Sequence, residues 1–160
     1  MRGDYGYQTR RGAAGTLYDI SPYAIDSRLC DGPDGAMKYG MGTVAGEHPG
    51  ATVALPTEAS GPADFAGIAM TGHTTEMDMD GGVGIRSQQT VGALAWGRAW
   101  ARIAAGTEPK YGEAARLITS GPDAGLFTNE ERGIPVRARF IGEKGGGDVA
   151  PVELFNQRQE

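Results

Sequence analysis

Few side chains in these 160 residues could do chemistry, and their spacing argues against it. His48 and His73 are the only histidines, and Cys30 is the only thiol. A catalytic serine or cysteine needs a base beside it, and serine hydrolases commonly present the nucleophile on a sharp strand-to-helix turn. Ser60 and Ser120 instead stand before Gly-Pro pairs, in ordinary turn sequences. His48 precedes Pro49-Gly50 and reads as a turn residue, while His73, after Gly72, reads as a polar residue at a strand end. Glu76, Asp78 and Asp80 form the one dense carboxylate cluster. With His73 close in sequence they could offer oxygens to a hard cation such as calcium, in the manner of a small metal-dependent hydrolase. The spacing is not that of an EF-hand loop. On a strand, alternate carboxylates share one face, and the simpler reading is a solvated edge that discourages sheet-to-sheet pairing or meets a basic partner. The run Gly142–Gly147 superficially resembles a phosphate loop but lacks the required order and a following helix, so it reads as a hairpin loop. The expectation is a protein without catalytic, cofactor-binding or metal-binding residues.

The elements that position these side chains follow from the glycines. Gly accounts for 27 residues, more than twice its usual share of about 7%. No stretch free of both Gly and Pro exceeds nine residues, the longest being Tyr23–Asp31 and Val152–Glu160. Helices of three turns need longer uninterrupted runs, because interior Gly costs about 1 kcal/mol and Pro about 3. Short strands separated by turns fit instead. Apolar pieces at Met41–Ala45, Ala51–Leu55 and Phe65–Met70 are strand candidates, and Val83–Ile103 is the clearest β region. There Trp96, Arg98, Trp100 and Arg102 share one parity, and Ala95, Gly97, Ala99, Ala101 and Ile103 share the other, which places them on opposite faces of a strand. A helix over Ala93–Ala105 is the rival reading, countered by Gly97 and the two tryptophans. Leu117–Thr119 and Leu126–Thr128 flank a turn and predict a hairpin. Val136–Ile141 and Val149–Phe155 close the series.

The fold class predicted is all-β, a compact jelly-roll or β-barrel-like domain over residues 29–160 preceded by an extended N-terminal arm, 1–28. The arm reads as irregular, yet it carries Tyr5, Tyr7, Tyr18 and Tyr23, more aromatic character than a plain linker needs. Arg2, Arg10 and Arg11 outweigh Asp4 there, so it could dock on an acidic surface of its own domain or of a neighbour. A net charge of −5 disfavours direct nucleic-acid binding. No apolar run is long enough to cross a bilayer, and no apolar segment follows the basic start as in a secretion signal. One cysteine allows no internal disulfide, which fits synthesis in a reducing cytoplasm. In a chain so poor in large apolar residues, Trp96, Trp100, Tyr5, Tyr7 and Phe155, with Arg10 and Arg11, are the expected interface or core anchors.

The segment FAGIAMTGH (65–73), followed by a polar stretch and then GALAWGRAWARI (92–103), is similar to the core of the phage structural cement protein family. LFTN (126–129), the strand Ile134–Phe140 and the closing VAPVELFN (149–156) also resemble it. The likeness covers about Leu29 to Asn156. It implies a virion protein without catalytic residues or cofactors, made in the host cytoplasm, that binds the outer capsid surface and reinforces contacts between capsomers of the major capsid protein. Self-association is expected, with a homodimer favoured over a homotrimer because two-fold symmetry is the commonest closed arrangement. A particle-displayed carbohydrate-binding β module is the alternative, with exposed aromatics as its sugar platform. The long Tyr- and Arg-bearing N-terminus departs from the family pattern.

Overall fold

Glycine and proline punctuation gives nine strands, one short 3-10 turn (Pro62–Asp64) and no α-helix among the described residues. The computed structural model describes residues 13–71, 85–145 and 147–155. Tyr5, Tyr7, Arg10, Arg11, His73, Glu76, Asp78 and Asp80 lie outside them. The strands are β1 (Ala24–Cys30), β2 (Gly42–Ala45), β3 (Thr52–Ala54), β4 (Phe65–Met70), β5 (Thr90–Arg102), β6 (Ala114–Leu117), β7 (Phe127–Thr128), β8 (Ile134–Phe140) and β9 (Val149–Leu154).

The pairings run β1-β3-β2-β4-β5-β9-β8-β6-β7, and β1 also pairs with β5. The first five strands in that order therefore close on themselves as a small barrel. A second ring, β5-β9-β8-β6-β7, is closed by a parallel bridge between Ile103, just past β5, and Phe127. Strand β5 belongs to both. Its first half lies between β1 and β4, with Leu94 opposite both Ile25 and Ile68, and its second half pairs with β9 from Gly97↔Leu154 to Arg102↔Val149. The changeover falls at Gly97, where φ is +130°. Closure of the first ring removes the open strand edges there that invite aggregation. The jelly-roll half of the expectation gives way to the barrel-like half.

Two apolar clusters fill the structure. The larger joins Ile68, Met70 and Leu94 to Ile103, Leu117, Phe127, Phe140, Val152 and Leu154, all buried. The smaller packs Cys30, Met37, Tyr39, Val53, Ala69, Ile85 and Val91. Alanine and glycine on β5 let the backbones approach closely, as the parity argument requires: Ala99 and Ala101 are fully buried while Arg98 and Arg102 are half-buried. The helical rival for this segment is excluded. The β region is shorter than the sequence suggests, however. Ile85 makes only an isolated bridge with Met37, and a turn at Arg86–Gln89 delays β5 to Thr90.

Residues expected to be irregular are the main difference. The domain boundary drawn at residue 28 falls inside β1. Upstream of β1, residues 15–18 lie along the second half of β5 as well.

Candidate interaction surface

Side chains on the outer face of β5, β9 and β8 are brought into rows by register. Arg98 is opposite Glu153, and Glu153 is opposite Arg139. Asp19, from the segment before β1, completes the row on the other side of Arg98. The result is a ladder of alternating charge: Asp19 Oδ2 to Arg98 at 3.0 Å, Arg98 to Glu153 Oε2 at 3.0 Å, and Arg139 to Glu153 Oε1 at 2.9 Å. Burial by itself pushes the Glu153 carboxyl up, but the two guanidiniums prevail and hold it below the usual carboxylate range. Asp19 behaves alike: burial raises it, and the Ser21 N–H with the Arg98 guanidinium brings it below. The Arg98 guanidinium, bonded to Glu153 and Asp19, is raised in turn.

Aromatic groups flank the ladder. Arg139 lies over Tyr111 at 5.6 Å and over Phe155 at 6.0 Å, between one ring that is 69% exposed and another that is 47% exposed. Such cation–π contacts hold a guanidinium and its rings in a fixed display. Phe155 also lines an open cleft of about 430 Å³ with Trp96, Pro22, Leu154 and Gly97, bordered by Arg98 and Glu153. Tyr23 continues the surface by packing over Gly97, where an added Cβ would stand 2.6 Å from the Tyr23 Cβ.

Of the residues singled out by sequence, Trp96 and Phe155 therefore meet in one cleft. Trp100 does not join them. It is buried beneath Tyr18, the rings 5.4 Å apart, and anchors the segment before β1 to the barrel. Tyr111 and the ladder went unrecognised in the sequence. Arg98, Arg139 and Glu153 look like ordinary strand charges until register places them opposite one another.

Those chemical candidates that lie among the described residues make local contacts. His48 is exposed in the turn joining β2 to β3, its carbonyl accepting from Ala51 and Thr52. Ser60 accepts a bond from the Thr57 N–H within its turn. Cys30 is fully buried, and burial, with the charges of Asp31 and Asp34, pushes its thiol up. Among the described residues no group of three or more His, Cys, Asp or Glu is placed to hold a metal ion. A second open cleft, of about 640 Å³, runs past Asp31, Gly46, Thr57 and Gln88. The Asp31 carboxylate there accepts from the Glu47 N–H and the Gln88 amide.

The family model described as structural cement protein (E217 gp24/Pam3 gp6) matches residues 1–155 of the chain. No curated protein matches it. A chain in the solved capsid of Myoviridae phage XM1 superimposes with a TM-score of 0.73 at 18% identity, covering 96% of each chain. At that identity the likeness is one of fold.

Proposed function

Since the chain belongs to the structural cement protein family, and so has a structural role in a phage capsid, we propose that it binds the outside of the shell and ties capsomers of the major capsid protein together. It does so without catalysis, by mass action: a protein that binds only the assembled, expanded shell stabilises that state by its binding free energy. The observation that carries the reading is the aromatic surface of Trp96, Phe155 and Tyr111 built around the Arg139–Glu153–Arg98 ladder. Aromatic and arginine side chains dominate interface energetics, and here they are held in place by neighbours, so little order has to be imposed on binding. The basic residues Arg10 and Arg11, with Tyr5 and Tyr7, extend the contact from the N-terminus onto the shell or a neighbouring copy.

Co-sedimentation of the purified protein with expanded shells of its phage tests this. The wild type pellets with the shells, and Trp96→Ala/Phe155→Ala weakens binding by about tenfold or more, the scale of one lost anchor. Binding that is unaltered in the double variant would move the interface elsewhere. A glycan that quenched Trp96 fluorescence, with no shell binding, would favour the carbohydrate module instead.

A further inference from the structure

The second half of β5 is a central strand only because residues 15–18 lie along its free edge. Gly15 N–H donates to the Trp100 carbonyl at 2.8 Å, Trp100 N–H to Thr16 at 2.9 Å, and Tyr18 N–H to Arg98 at 2.9 Å. On the other side the Gly15 carbonyl accepts from the Thr71 N–H at 2.8 Å. Leu17 packs against the larger core, Tyr18 covers Trp100, and Asp19 pairs with Arg98. The slot also requires glycine at position 15. A Cβ at Gly15 would come 2.7 Å from that of Tyr39, and its φ of +83° suits glycine.

We propose that in solution this slot is filled by the same segment of a second copy, two chains exchanging residues 13–18 across the hinge Asp19–Tyr23. Three observations point there. A slot that requires this glycine is matched by an identical segment, which makes every bond in trans that it makes in cis. The hinge holds Pro22, and its Ile20 stands fully in solvent at 102% exposure, so nothing in the single chain ties that residue down. Finally, four of the six large hydrophobics exposed among the described residues, Ile20, Tyr23, Ile25 and Leu29, lie in the hinge or the strand it enters. Two hinges crossing at a two-fold axis would bury these side chains against one another, offsetting the entropy of association.

The inference concerns the free protein and stands apart from shell binding, so purified protein without shells is used to test it. Leu17 and Ala99 face each other as a non-hydrogen-bonded antiparallel pair, with a Cα separation near 4.5 Å that suits a disulfide. Leu17→Cys/Ala99→Cys, oxidised mildly, runs as a covalent dimer on a non-reducing gel if strands are exchanged. A cross-linked monomer, or no cross-link, overturns the proposal. As an independent variant, about six Gly and Ser residues inserted after Ser21 relax the hinge and let each segment close on its own chain. Light scattering then shows wild type at twice the chain mass and the insertion variant shifted to monomer. A monomeric wild type, or a dimer untouched by the insertion, overturns it as well.

Discussion

Gly97 has a φ of +130°, and a Cβ there would stand 2.6 Å from the Tyr23 Cβ, so the changeover between the two rings tolerates no larger residue. Gly97→Val should lower unfolding stability by about 1–3 kcal/mol in urea titration, the cost of a strained backbone, with added loss where Tyr23 is displaced. The charge ladder, together with Asp31, makes a separate prediction. Asp19, Asp31 and Glu153 titrate below their ordinary range when folded. The folded protein then binds fewer protons than the unfolded chain near those values, so stability falls as pH falls. Their contribution is complete above the unfolded carboxyl value, about pH 4, and disappears as acid titrates the folded groups. The urea midpoint should hold level from about pH 7 to about pH 5 and decline toward about pH 3, more shallowly in Glu153→Gln. An equally steep decline in that variant would remove Glu153 as a contributor.

At the scale of elements, Phe127 shows what closes the second ring. It is fully buried, meets Phe65 edge to face at 6.1 Å, and bridges to Ile103. Phe127→Ala should cost about 3–5 kcal/mol, the usual range for a core phenylalanine. Chemical denaturation checks it, and a loss under about 1 kcal/mol would mean that the ring does not depend on this side chain. The strands differ in how plainly the sequence announces them. Phe65–Met70 is found residue for residue, because a continuous apolar run marks a strand covered on both faces. The hairpin of β6 and β7 follows from its turn, with Leu117 opposite Phe127. Strand β1 is hidden because its pattern is inverted. Ile25 and Leu29 face outward, while Asp26 and Arg28 point to the half-buried side. Residues 15–18 are held largely by backbone bonds, which leave no trace in side-chain periodicity. The candidate surface was legible only at Trp96 and Phe155, since its ladder arises from register across strands far apart in the chain.

For the whole molecule, two small rings sharing one strand leave few polar groups to chance: no buried side-chain nitrogen or oxygen among the described residues lacks a partner. The chain's formal charge is −5, and the ladder on its described surface is internally neutralised, two carboxylates facing two guanidiniums. On the proposed function, recognition of a shell rests more on the aromatic groups than on net attraction, and binding should weaken only modestly between low and physiological salt.

Calorimetry of expanded shells with and without the protein tests the central claim most directly. Shells saturated with wild-type protein should melt at a higher temperature than bare shells, the increase growing with protein concentration as linkage requires and shrinking for Trp96→Ala/Phe155→Ala. Shells that melt at the same temperature with and without saturating protein would contradict the account.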